Sequence, residues 1–131
     1  MTIMDDGAIR ALIARLAYLS DEGPLDEYAT VYTPDATWTG GGTTSTGLAE
    51  IIASSTERRN SGAIGPGSHA RHMTIPVNIE ISGDTARGTS YFMLLTAVDS
   101  APQVTRFAVY DDEFVRTGEG WRVSRRTIRK G

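Results

Sequence analysis

From Asp5 to Ser20 the apolar residues Ile9, Leu12, Ile13, Leu16 and Leu19 recur every three or four positions, the spacing that lines one side of an α-helix. Asp5 or Asp6 serves as its N-cap, where a carboxylate meets the positive end of the helix dipole. Gly23-Pro24 breaks the chain, and Leu25, Tyr28, Ala29 and Tyr32 predict a second, short helix that Thr33-Pro34-Asp35 ends. Ala36 to Thr39 reads as a short strand around Trp38, followed by the turn Gly40-Gly41-Gly42. A third helix is expected from about Leu48 to Asn60, with Gly47 as cap, Glu50 at N3, and Leu48, Ile51 and Ile52 on its apolar side. Ser61 to Ser68 is rich in glycine and reads as a loop.

Beyond it the period falls to two. Met73, Ile75, Val77, Ile79 and Ile81 alternate with His72, Thr74, Pro76, Asn78 and Glu80, as in a half-buried strand. Ser82-Gly83-Asp84 turns into a strand over Thr85–Thr96. Another strand spans Val104–Arg116, and Thr117-Gly118-Glu119-Gly120 leads into the last, Trp121–Ile128. Three N-terminal helices followed by a long meander define an α+β domain, one unit over residues 1–131. Helices of that number cover one face of the sheet. A sheet curling around the first helix becomes a cone with an apolar cavity, and such curvature needs bulges or glycines. Pro76 and Gly88 are the candidate positions, Pro76 as a bulge or an edge.

Composition narrows the classes. The net charge of −3 and pI near 5.3 argue against a polyanionic partner. Arg116, Arg122, Arg125, Arg126, Arg129 and Lys130 cluster near the C-terminus, but no interleaved aromatics accompany them, so they read as a solvated face and nucleic acid is not expected. The absence of cysteine excludes disulfides, thiolate catalysis and cysteine-ligated zinc. No apolar signal core occupies Met1–Arg10, and no run approaches the roughly 20 apolar residues of a membrane span. The expectation is a cytoplasmic protein with no membrane partner.

The sharpest chemical feature is His72, one of two histidines, at the head of a strand. Imidazole exchanges protons near neutral pH. Asp21, at the end of the first helix, is positioned to fix its tautomer if the fold joins them. Strict alternation puts His72 on the side of Asn78 and Glu80, opposite Met73, Ile75 and Val77. A bulge at Pro76 would reverse that register and turn His72 toward the apolar lining. Tyr18, Tyr28, Tyr32 and Trp38 are candidates for the mouth or wall of the cavity, Tyr18 above all because it lies one helical turn before Asp21. His69 and His72 form an H-x-x-H, but on a strand they face opposite ways and no third ligand is spaced to join them, so no metal is expected. Arg106, Arg125 and Arg126 are expected to pair across strands with Asp111, Asp112 and Glu113. The glycine clusters lack the strand–loop–helix and lysine of a phosphate loop.

The pattern Leu12, Tyr18, Asp21, Tyr32-Thr33-Pro34-Asp35-Ala36-Thr37-Trp38, Gly47, Arg71-His72-Met73, Gly83-Asp84-Thr85-Ala86, Tyr110-Asp111-Asp112-Glu113 and Gly120-Trp121-Arg122-Val123-Ser124-Arg125-Arg126 resembles the SnoaL-like branch of the NTF2-like superfamily. It is similar to the subgroup of scytalone dehydratase, bile-acid dehydratase and hexachlorocyclohexane dehydrochlorinase. The resemblance implies a cone-shaped, cystatin-like roll and a cofactor-independent lyase. In such an enzyme His72 is the base, Asp21 its orienting partner, and Arg126 a stabiliser of negative charge. The implied partner is a small hydrophobic cyclic or aromatic ketone-like molecule, and the implied assembly a homodimer or homotrimer through the outer sheet face. Two departures stand out: Leu16 replaces the dehydrochlorinase lysine, and Pro76 replaces an asparagine common four residues after the histidine. The alternatives are a ketosteroid-isomerase- or polyketide-cyclase-like isomerase and a non-catalytic binding module. The stretch Trp38-Thr39-Gly40-Gly41 lacks the carboxylate that ketosteroid isomerases carry there.

Overall fold

The stripe of the first helix is buried from end to end. Ile9, Leu12, Ile13, Leu16 and Leu19 of α1 (Ile3–Asp21) pack with Ala86, Phe114, Trp121 and Val123 on the inner face of a sheet. Burying each of these aliphatic side chains contributes about 1.5–3 kcal/mol, so this seam is what fixes α1 on the sheet. The computed structural model describes residues 3–131, and Met1 and Thr2 lie outside them. After α1 come a 3₁₀ turn (Leu25–Thr30), β1 (Tyr32–Gly40), β2 (Thr43–Thr46), α2 (Leu48–Asn60), β3 (Arg71–Ser82), β4 (Thr85–Thr96), β5 (Gln103–Thr117) and β6 (Gly120–Arg129). The six strands form one mixed sheet in the order β2-β1-β6-β5-β4-β3, antiparallel except for the parallel pair β1–β6.

The start of the chain differs from the sequence reading in three places. α1 already begins at Ile3, so Asp5 and Asp6 lie within its first turn instead of capping it. The second helix is a single 3₁₀ stretch that stops before Tyr32, and Tyr32 opens β1 instead. The cause is non-local: the Val123 N–H donates to Val31 O at 2.7 Å, drawing this segment alongside β6. Pro34, which has no N–H to give, sits where that ladder is interrupted between Tyr32 and Thr37. A short strand, β2, was not anticipated. It pairs with β1 through the two-residue turn Gly41-Gly42, whose φ values of 59° and 81° require glycine for a tight hairpin of this hand.

Pro76 is both edge and bulge. β3 is an outer strand, and its register with β4 slips between Pro76 and Asn78. The slip reverses the alternation, so His72 and Thr74 share the inner face with Ile79 and Ile81. Met73, Ile75 and Val77 point outward and are exposed. Strict alternation would have left His72 with Asn78 and Glu80, and the bulge is the reason it does not. Tyr91, Val104 and Phe107 are also exposed, on neighbouring strands. Gly88, the other curvature candidate, faces Ile79 across the ladder, and a Cβ there would come within 3.0 Å of the Phe114 ring. Its small size serves close packing. No helix among the described residues is long and apolar enough to cross a membrane.

Candidate functional site

Two anchors hold α1, one at each end. At the N-terminal end Asp5 accepts two bonds from Arg116 and one from the Trp121 indole. At the C-terminal end, where α1 has no basic residue of its own, Arg59 of α2 donates through Nη2 to the carbonyls of Leu19, Ser20 and Gly23. These carbonyls have no partner within the helix, so a guanidinium there satisfies them and complements the dipole. Asp21 is thereby presented, buried, to the first residues of β3.

There it takes both donors of His72. The His72 backbone N–H donates to Asp21 Oδ2 at 2.8 Å, and the ring Nδ1 lies 2.6 Å from Asp21 Oδ1. A carboxylate accepts, so Nδ1 carries a proton, and in the neutral imidazole Nε2 is then the bare nitrogen. Nε2 has no protein partner among the described residues, and His72 lines a cavity of about 200 Å³ between the helices and the sheet. Asp21 does not line it. It stands behind the imidazole.

The far wall is aromatic and cationic. Phe92 lies 5.9 Å from the His72 ring and stacks on Tyr110 at 4.2 Å. The Arg126 guanidinium covers the other side of Tyr110 at 3.7 Å. Cross-strand register builds this row: His72 opposes Leu94, Phe92 opposes Ala108, and Tyr110 opposes Ile128. Tyr32 and Trp38 of β1 complete the wall. On the helical side Ser20 Oγ, Tyr28 Oη and Ser55 Oγ form a hydroxyl chain, and Arg58 donates to Ser55 at its end.

Arg126 is 3 % exposed and binds Asp112 through Nε and Nη2 at 2.8 and 3.0 Å. Burial works against its charge, but the adjoining Asp112 carboxylate outweighs that and raises the guanidinium pKa. Burial also pushes the Tyr110 phenol up to about 12, and the Tyr32 phenol well above its ordinary range, against the pull of Arg126. Both phenols remain un-ionised hydrogen-bond donors throughout the neutral range. Neither makes a hydrogen bond to protein among the described residues.

Of the residues singled out in the sequence, His72, Tyr28, Tyr32, Trp38 and Arg126 meet in this cavity, with Asp21 behind His72. Tyr18 does not. It is 52 % exposed, because it lies about 200° around the helix from Leu16, on the side away from the core. Arg126 pairs with Asp112, Arg129 with Asp111 and Arg125 with Glu113, whereas Arg106, expected to pair as well, lines the cavity. His69 precedes the strand at φ 56° and lies 3.7 Å from exposed Asp99. Among the described residues no group of three His, Asp or Glu side chains is gathered to hold a metal. Phe92, Tyr110 and Arg106 were missed. Their signal is the alternation of β4 and β5 in phase with His72, which becomes readable once the register is known.

A larger depression of about 390 Å³ opens on the outer face, among Glu80, Arg87, Asp111, Glu113 and Arg125. Its charges include the Arg125–Glu113 pair, and His72 is not among its walls. The enclosed cavity beside His72 is therefore the candidate site.

The sequence profile of the SnoaL-like domain matches residues 1–127. Solved structures with the same fold include an NTF2-like protein with a cystatin-like fold from Novosphingobium aromaticivorans, 28 % identical with a TM-score of 0.79, covering 96 % of this chain and 81 % of its own. Another is a cystatin-like-fold protein from Nostoc punctiforme, 20 % identical with a TM-score of 0.86, covering 98 % of this chain and 92 % of its own. No curated protein matches the sequence.

Proposed function

The chain belongs to the SnoaL-like domain family of the NTF2-like superfamily, and from that premise we propose that it is a cofactor-independent lyase, a dehydratase of small cyclic β-hydroxy ketones. The observation that carries this reading is the His72 imidazole, held through Nδ1 by Asp21 and lining an aromatic cavity.

The proposed reaction is a β-elimination. His72 Nε2 takes a proton from the carbon next to the ketone, and the C–H electron pair moves into an enolate. The enolate collapses to form the C=C bond and releases the β-hydroxyl, which leaves as water with the proton that the imidazolium returns. Asp21 stabilises the imidazolium while it exists. The Tyr32 and Tyr110 phenols are donors for the enolate oxygen, where preorganised donors act most strongly. The enzyme ends as it began.

Size supports a narrow substrate class. A cavity of about 150 Å³ accepts benzene, and drug-sized sites run to about 300–1,000 Å³, so a space of about 200 Å³ suits one substituted ring. A four-ring steroid is too large, which weighs against the ketosteroid-isomerase alternative. We expect 3-hydroxycyclohexanone to yield cyclohex-2-enone, followed by enone absorbance and by the loss of one water in the product mass. Solvent deuterium entering the substrate without loss of mass as water would favour an isomerase. Neither exchange nor enone above the buffer reaction would favour a non-catalytic module.

A further inference from the structure

The cavity has a sign. No aspartate or glutamate side chain lines it, whereas three guanidiniums do: Arg58, Arg106 and Arg126. The charge of Arg126 is matched by Asp112. Arg58 has no carboxylate partner among the described residues, but it is already engaged, donating to Ser54 and Ser55 and lying 5.0 Å over Trp38. Arg106 is different. Among the described residues it has neither a hydrogen bond nor an ion pair, and its guanidinium lies 5.7 Å from the Phe92 ring. The same ring lies 5.9 Å from His72. A chain with net charge −3 has thus gathered unmatched positive charge where its imidazole faces a ring-sized space.

Resting on the lyase reading above, we infer that the substrate is a one-ring carboxylate, with its ring against Phe92 and its carboxylate on Arg106. Guanidinium is suited to this task because its planar fork matches a carboxylate with two parallel hydrogen bonds. Arg106 lies on the exposed side of the cavity, so its five donors are hydrated when the site is empty and exchange water for the anion on binding. Arg58 contributes field from the Trp38 side. The same anchor sets orientation: a carboxylate on Arg106 leaves the ring carbons within reach of His72, with the two groups sharing Phe92 as a common platform.

Calorimetric titration with benzoate and benzamide, which share a ring and differ in charge, separates this inference from the reading it rests on. We expect the protein to bind benzoate at least about tenfold more tightly than benzamide, the gain of a charge-assisted pair over a neutral one. Added salt should shrink the preference, and Arg106→Gln, an exposed change checked for an unaltered Tm, should reduce it to within about twofold. Arg106→Lys keeps the charge without the fork and should fall between the two. Equal binding of benzamide, or a benzoate preference that survives Arg106→Gln, overturns the anion anchor while leaving the dyad reading intact. Failure of both rings to bind overturns the anchor together with the ring-sized cavity behind it.

Discussion

Asp21→Asn lowers the turnover of a one-ring β-hydroxy ketone by about 10²–10⁴-fold, and His72→Ala by at least as much, while both variants remain folded. The range is that of a positioned general base. The asparagine variant is the more informative because it is nearly isosteric. Its side-chain oxygen still accepts one of the two His72 donors that Asp21 now serves, the backbone N–H and Nδ1. The amide NH₂, however, cannot accept. If it faces the ring it donates to Nδ1, which drives the ring proton onto Nε2 and blocks the base. The negative charge that would offset the imidazolium is lost as well. Initial rates of enone formation, with circular dichroism to confirm the fold, measure the effect. Near wild-type rates in a folded Asp21→Asn protein would remove the dyad from the mechanism.

Asp112→Ala destabilises the protein by about 3–5 kcal/mol, the usual consequence of stranding one member of a buried ion pair. Both side chains of the Arg126–Asp112 pair are almost fully enclosed, and their two bonds are short and parallel. Removing the carboxylate leaves a guanidinium in an aromatic enclosure with Tyr110 as its nearest neighbour. The paired change Asp112→Leu/Arg126→Met should recover much of the loss, since a well-packed apolar pair often equals or exceeds a buried salt bridge. Urea denaturation reads both, with the midpoint falling at nearly constant slope. A loss below about 1 kcal/mol in Asp112→Ala would mean that water reaches Arg126 and that the cavity floor is wetter than its geometry indicates.

Much of this architecture was legible without coordinates, for identifiable reasons. The stripe Ile9 to Leu19 encodes α1 because its helical period is local, and Gly47 with Glu50 marks the start of α2 in the same way. The juxtaposition of His72 and Asp21 was accessible through the family pattern, whereas spacing alone is silent on two residues so far apart in the chain. What escaped was non-local. Tyr32 follows β6 into a parallel ladder that no neighbouring residue announces. By contrast, the register reversal that turns Met73, Ile75 and Val77 out and His72 in was readable from Pro76 itself, since a proline inside a strand marks a bulge or an edge. Tyr18 was drawn to the site by proximity to Asp21 along the chain, whereas helical phase sends it to the opposite side. Arg106 was expected to pair with a carboxylate of the last strands, and only the cross-strand register with Leu94 sets it beside the cavity.

The proton on the His72 ring is the most direct test. Two histidines make the imidazole nitrogens assignable in long-range ¹H–¹⁵N spectra of histidine-labelled protein, with exposed His69 as an internal reference. The expected result is a neutral His72 ring protonated at Nδ1, with a bare Nε2 whose signal moves when benzoate is added and whose tautomer changes in Asp21→Asn. A ring protonated at Nε2, or an Nε2 signal indifferent to a cavity ligand, would contradict a base poised over the substrate.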